Sequence, residues 1–476
     1  TAIIGALVAL SIIALVLSVV KIEDVTLPPT VKYGLVFDAG SSHTSLFVYE
    51  WDSDKENNTG VVSQTLSCDV QGQYPPDMGS VVPACSCGGW HDLDLPLVGL
   101  PMPGSSVHRA VTAGTVGSPG CRQVLLREQN SSVADQVLAE VAKTMREYPV
   151  AFKGAQILTG EEEGAYGWIT INYLLESFTK YSPKGHTWIR PEAAHLFGAL
   201  DLGGASTQIS FMPEVSVINW KDISKLMLYG YNYNIYTQSY LCYGQNEMLK
   251  RLAKELIAVR GELGAERHAE CLKLVCLRGR GNETKQSEYW NVTLEGRGNA
   301  SGCLAAVKKL FNFSACGQRQ DCTFDNIYQP PVRGQFIAFS AFYYNFKFLN
   351  LTEGQSLATV RETIEHFCTR SWEDLSSSYP EENPEELPKY CASTIYILTL
   401  LLDAYKFNEA SWNNISFQMK VGNADVGWTL GYMLNLTNMI PEEAPVWVKG
   451  HVPSLWAAAV AFIVLTLVLG LAALLL

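Results

Sequence analysis

Residues 33–51 read YGLVFDAGSSHTSLFVYEW. The apolar run Leu35, Val36 and Phe37 predicts a buried strand ending on Asp38, Gly40, Ser41 and Ser42 predict a tight turn, and Ser45 to Trp51 predicts a second strand. A carboxylate at a strand end, followed by a Gly/Ser turn, suits a phosphate clamp. Glycine lets the backbone approach closely, and turn amides and hydroxyls donate to phosphate oxygens. In that reading Asp38 holds a hydrated divalent cation and does not touch the anion. Taken alone, the segment fits an ordinary β-hairpin equally well.

A second copy shifts the balance. Residues 197–212, FGALDLGGASTQISFM, repeat the order of apolar strand, Asp201, Gly203, small turn residues, Thr207 and second strand. Asp38, Gly40 and Thr44 each precede their counterparts Asp201, Gly203 and Thr207 by 163 residues. Two such hairpins predict two duplicated α/β lobes facing each other across a central cleft, the plan of the actin, heat-shock-70 and sugar-kinase group, in which each lobe is ribonuclease-H-like. Between the copies lies ILTGEEEGAYGWITINY, residues 157–173. Three successive glutamates usually form a solvated run. Here glycines and aromatics flank them after an apolar strand over residues 156–159, which predicts a glutamate held on a Gly-rich turn beside both clamps, suited to deprotonating water. A P-loop, HExxH and G-x-S-x-G are all absent.

The formal charge of −12, from 35 basic and 47 acidic residues, argues against a nucleic-acid binder. Both ends are apolar. Residues 1–20 and 454–476 carry no charge, and at about 1.5 Å per residue each reaches roughly 30 Å, the thickness of a hydrocarbon core. They predict an N-terminal and a C-terminal transmembrane helix, and so a lipid bilayer as partner. Between them lie all 12 cysteines and the sequons at Asn57, Asn130, Asn282, Asn291, Asn299, Asn312, Asn350, Asn414 and Asn435. These place the middle in an extracellular or lumenal, oxidising compartment, with both termini cytosolic. The close pairs Cys316/Cys322 and Cys368/Cys391 suit local disulfides.

At this point several long motifs share one order: DAGSSHTS, TGEEEGAYGW, ALDLGGASTQ, YQPPVRGQF and DVGWTLGYMLNLTNMIP. Together they resemble the signature regions of the ectonucleoside triphosphate diphosphohydrolases (ecto-apyrases), and the two-span layout is similar to the plasma-membrane members. The resemblance implies hydrolysis of extracellular nucleoside tri- and diphosphates with Ca²⁺ or Mg²⁺. It implies Glu163 as general base, with Ser206 and Gln208 holding the attacking water. Asp38 and Asp201 would bind the cation through water. Ser41, Ser42, His43 and the amides of Gly203, Gly204 and Ala205 would bind phosphate. Tyr344 would stack on the nucleobase, and Trp428 would lie in the cleft. It further implies the disulfides Cys242–Cys276, Cys271–Cys303, Cys316–Cys322 and Cys368–Cys391.

Two regions depart from that pattern. The family's second signature, Gly-Ala-Thr-Ala-Gly-Met-Arg, is reduced here to Thr112-Ala113-Gly114, and residues 69–124 read as foreign and poor in helical periodicity; residues 255–290 also depart. The expected organisation is lobe I over 27–159, completed by 418–451, and lobe II over 160–417. Transmembrane helices at 1–20 and 454–476 could also pair copies into a homo-oligomer. A kinase on the same lobes, a nucleotide-binding but inactive enzyme, and a surface receptor or adhesion protein remain alternatives, the last two favoured by the disrupted second signature.

Overall fold

The computed structural model describes residues 9–10, 12–13, 31–40, 44–52, 54–71, 84–85, 109–113, 131–148, 150–182, 187–191, 196–213, 222–258, 268–269, 274–280, 289–296, 298–440 and 453–475. Two compact units emerge, one of residues 33–95 and 107–440, the other of 1–32, 96–106 and 441–476.

In the larger unit the first hairpin opens a six-stranded sheet. Its strands are β1 Val31–Ala39, β2 Thr44–Asp52, β3 Val62–Gln71, β4 Ala84–Cys85, β5 Arg109–Ala113 and β6 Phe152–Gln156, in the order β4-β3-β2-β1-β5-β6. A helix, α1 Ser131–Met145, precedes β6. The second hairpin opens another six-stranded sheet: β7 Gly198–Leu202, β8 Ser206–Phe211, β9 Ile223–Leu228, β10 Tyr231–Leu241, β11 Phe336–Ser340 and β12 Ile415–Phe417, in the order β9-β10-β8-β7-β11-β12. In each sheet the Asp-bearing strand has the hairpin partner on one side and a parallel strand on the other, β5 beside β1 and β11 beside β7. The duplication read from two short motifs therefore extends to strand order.

The strand β5 lies inside the stretch that departs from the family pattern, and there Arg109, Ala110 and Val111 pair in parallel with Gly34, Leu35 and Val36. A strand of five residues carries too little periodicity to be recognised on its own; its partner strands select it. The apolar strand expected at 156–159 also shifts, because β6 ends at Gln156. Within the second departing region, Leu274–Arg280 pairs antiparallel with Tyr289–Gly296.

Two helices join the sheets. One is α2, Gly160–Leu174, buried at every position from Gly164 to Asn172. The other is α8, Trp428–Met439, which follows α3 Gln245–Ala258, α4 Ala300–Lys308, α5 Ala341–Phe348, α6 Leu357–Thr369 and α7 Tyr390–Leu398. One apolar cluster contains Val36, Tyr49 and Trp51 of the first sheet, Ala199, Ile235 and Phe339 of the second, and Trp168, Ile169, Leu430 and Met433 of the two helices. A helix enclosed on all sides must be apolar all round, which is why α2 lacks a clean amphipathic stripe. The helices touch backbone to backbone: a Cβ on Gly431 would stand 2.0 Å from the Tyr166 carbonyl oxygen, and the Gly431 N–H donates to Thr170 Oγ1 at 2.9 Å. A second cluster fills the far face of the second sheet beneath α3 to α7. The disulfides Cys316–Cys322 and Cys368–Cys391 are buried, the second within that cluster.

In the smaller unit, α9, Pro453–Leu475, is a 23-residue helix without a charged side chain. Residues 9, 10, 12 and 13 of the first apolar run are helical. Among the described residues no helix is both long and apolar enough to cross a membrane; the unbroken stretch of described side chains in α9 covers residues 456–472.

Candidate active site

Register brings the polar residues of the second sheet into one row. Asp201 on β7 stands opposite Gln208 on β8, and Gln208 stands opposite Ser239 on β10. Cross-strand partners share a face of the sheet, so these side chains rise together. Above them lies the first turn of α2. Glu163 accepts from Gln208 Nε2 at 3.0 Å, and the same nitrogen lies 2.9 Å from Ser206 Oγ.

The glutamate run is thus not on a Gly-rich turn but in the N-terminal turn of a helix. Thr159 is the N-cap: its Oγ1 accepts from the Glu162 N–H at 3.2 Å, and the Thr159 N–H donates to Glu162 Oε2 at 2.8 Å. This capping box satisfies two otherwise orphaned donors and favours acidic residues in the first turn. Glu161 and Glu162 are exposed, while Glu163 is turned inward. The glycines serve close approach instead of turning the chain: a Cβ on Gly164 would lie 2.7 Å from Ser210 Oγ and 2.8 Å from Thr237 Oγ1.

Three carboxyls from different elements share this place. Burial, then the charge of Asp201, raises Asp38 from 3.8 to about 7; the indole N–H of Trp428 faces it and draws it partly back, stopping short of a formed hydrogen bond to any described residue. Asp201 is 9% exposed and is likewise raised by burial, against the lowering effect of hydrogen bonds from Ser340 and the Leu202 backbone. Glu163 is pushed well above the usual carboxylate range by burial, then by Asp201 and Asp38. Mutual repulsion among buried acids is relieved by protons or by a cation. Asp201 Oδ1 is buried without a hydrogen-bond partner among the described residues. An anionic cluster with an unused oxygen fits a hydrated divalent cation, whose water would supply the missing donor.

Beside the cluster, the 203–206 turn is held from below. The N–H groups of Gln245 and Asn246, opening α3, donate to the carbonyls of Gly203 and Gly204 at 2.9 Å each. The Gly203 N–H, expected to meet phosphate, donates instead to the Ser206 carbonyl at 3.0 Å. Gly244 permits this docking, since a Cβ there would lie 2.4 Å from the Ser206 nitrogen. Ser41, Ser42 and His43 of the other clamp lie outside the described residues. Tyr344, on α5, is 54% exposed, with its ring edge-on to Tyr343. Trp428 is buried at the start of α8.

Several contributors were missed in the sequence. Ser340 ends β11 with φ 55° and ψ −132°, a left-handed conformation that a serine adopts only under constraint, and it faces Asp201, where it offsets part of the rise that burial causes. Asn172 donates to the Trp168 and Phe197 carbonyls at 2.9 Å and accepts from the Phe197 N–H at 2.7 Å. It ties the end of the Glu163 helix to the approach of the Asp201 strand. An asparagine within the apolar WITINY run was the available signal, because a buried amide requires partners.

Cys242 and Cys303 are disulfide-bonded; Cys271 and the side chain of Cys276 lie outside the described residues. Of the sequons, Asn57, Asn299, Asn312 and Asn350 are exposed. Asn414 is half-buried, and Asn435 is half-buried on α8 against Tyr166. Asn130, Asn282 and the side chain of Asn291 are outside the described residues. The described residues contain no cluster of three or more His, Cys, Asp or Glu arranged as metal ligands.

Comparison with known proteins gives a concordant picture. Residues 24–75 and 113–449 match the profile described as the GDA1/CD39 (nucleoside phosphatase) family. Ectonucleoside triphosphate diphosphohydrolase 8 of Gallus gallus is 49% identical over 486 residues, 98% of this chain and 95% of that protein. The protein of that name from Homo sapiens is 43% identical over 98% of this chain and 95% of its own length. Among solved structures, a nucleoside triphosphate hydrolase from Neospora caninum superposes with a TM-score of 0.55 at 13% identity, over 90% of this chain and 95% of that one, a likeness of fold.

Proposed function

Because this chain belongs to the GDA1/CD39 family of nucleoside phosphatases, we propose that it hydrolyses nucleoside tri- and diphosphates, such as ATP, ADP, UTP and UDP, to the monophosphate and phosphate at the cell surface. The observation that carries this reading is the meeting of Asp38, Asp201 and Glu163 from two sheets and a helix, with Gln208 bridging to Glu163.

In the proposed mechanism, Glu163 takes the proton of a water held by Ser206 and Gln208, and that water attacks the terminal phosphorus in line. Gln208 spends its amide hydrogens on Glu163 and its serine neighbours, fixing the direction of the base. Asp38 and Asp201 would hold Ca²⁺ or Mg²⁺ through water, and the bound cation would supply charge neutralisation for the phosphate chain. The amides of Gly204 and Ala205, on a turn braced by α3, and residues 41–43 would bind the phosphates. Tyr344 offers its exposed ring to the base. Positioning and charge neutralisation supply most of the rate in phosphoryl transfer. No phosphoenzyme is needed.

The same reading assigns two ribonuclease-H-like lobes around the cleft, lobe I over 27–159 and 418–451 and lobe II over 160–417. It places membrane crossings at 1–20 and 454–476, with the body extracellular and glycosylated and both termini cytosolic. The uncharged run of residues 454–476 supports the second crossing. The test is phosphate release from extracellular nucleotide by intact expressing cells, with and without divalent cation. Cation-dependent release at the outer face is expected; release that persists in excess chelator overturns the cation assignment, and no release from either di- or triphosphate overturns the activity.

A further inference from the structure

We infer that Ser239 is a positioning residue for the Glu163–Gln208 pair, an inference that rests on the hydrolytic reading above. Ser239 stands directly across from Gln208 in the β8–β10 register, with its Oγ 3.2 Å from Gln208 Nε2. That nitrogen already lies 2.9 Å from Ser206 Oγ and 3.0 Å from Glu163 Oε2. A primary amide carries two hydrogens and its nitrogen accepts none. Three oxygens therefore share two hydrogens, one of them in a three-centre bond. The Glu163 carboxylate fixes which end of the amide faces it, because the amide oxygen there would set two acceptors against each other. What remains is the tilt of the amide plane about a terminal torsion that is intrinsically broad. Ser206 restrains that tilt from its own strand and Ser239 from the next.

A second, steric observation involves the same hydroxyl. A Cβ on Gly160, the first residue of α2, would lie 2.0 Å from Ser239 Oγ. The helix turn bearing Glu163 is thus seated on Ser239. Two residues earlier on β10, Thr237 Oγ1 donates to the Glu161 carbonyl at 3.2 Å and contacts Ser210 Oγ at 2.7 Å. These hydroxyls hold the turn, but Ser239 alone among them also reaches Gln208. It sets the spacing between the base and the amide that orients it.

The experiment compares Ser239→Ala, Gln208→Ala and the double substitution in the full chain, with Glu163→Gln in parallel. Ser239→Ala should lower kcat about 3- to 10-fold, the worth of one neutral hydrogen bond, with KM for a nucleoside triphosphate and the melting temperature unchanged. In the Gln208→Ala background it should cost nothing further, because both act on one group. Additive losses, or a raised KM at unchanged kcat, overturn the inference. A crystal structure gives a readout independent of turnover: Ser239→Ala should show the Gln208 amide in more than one orientation, and a single amide still on Glu163 overturns the assignment. Retained turnover in Glu163→Gln would instead bring down the mechanism itself, which separates that failure from this one.

Discussion

Replacing Glu163 by Gln should abolish most turnover while leaving the fold intact or more stable. The substitution is nearly isosteric, and the new side-chain oxygen still accepts from Gln208 Nε2, now 3.0 Å from the carboxylate. Substrate binding should therefore change little. What disappears is the basic oxygen. A positioned general base is worth about 10²- to 10⁴-fold, and efficiency peaks when its pKa approaches the working pH. Burial, Asp201 and Asp38 all push Glu163 upward from the ordinary carboxylate range, so a loss of about 10³-fold in kcat is expected, or roughly 4 kcal/mol at 1.36 kcal/mol per decade. The same substitution removes one of three repelling acids, so the melting temperature in chelator at neutral pH should rise. Glu161 is the internal control: exposed in the first turn, its change to Gln should alter kcat by less than about twofold. The assay is phosphate release at saturating and sub-saturating nucleotide, with thermal melts beside it. Full turnover in Glu163→Gln, or an equal loss in Glu161→Gln, would refute the reasoning.

Other outcomes follow from the same geometry. Asp38, raised from 3.8 to about 7, binds its proton more tightly folded than unfolded, so its stabilising contribution is complete below the lower value and is lost as pH rises through the higher. In chelator the melting temperature should fall between about pH 5 and pH 8, and Ca²⁺ or Mg²⁺ should restore it more at the upper end; equal metal shifts at both pH values would contradict this. Gly431→Ala sets a methyl 2.0 Å from the Tyr166 carbonyl oxygen, where neither backbone yields easily, and should cost about 3 kcal/mol or more of stability in urea; an unchanged midpoint would contradict the helix contact. Tyr344→Ala removes an exposed ring and should raise KM about 5- to 100-fold at similar kcat, the worth of one base-stacking platform; a loss in kcat with KM unchanged would place the ring elsewhere.

The sequence alone determined the features that local chemistry encodes. A strand ending near an aspartate, a Gly/Ser turn and a returning strand are short-range patterns, and their repetition after 163 residues exposed a duplication that the strand orders extend. The residues proposed for hydrolysis, Asp38, Asp201 and Glu163, were named from those same short motifs. The two uncharged ends and the confinement of the cysteines were equally a matter of composition. Tertiary structure decided the rest, because it depends on partners distant in the chain. A three-glutamate run looks the same on a turn or at a helix start; the Thr159 capping box and the docking of Gly160 and Gly164 on a sheet select the helix and turn Glu163 inward. Residues 109–113 gave no strand signal until β1 and β6 flanked them. Ser239 lies outside every motif, and cross-strand register alone brings it to the site; Asn172 lies inside a quoted motif, but only its buried hydrogen bonds to Phe197 give it a role. Register pairs residues 31 positions apart here, Gln208 with Ser239, and no periodicity within either strand contains that information.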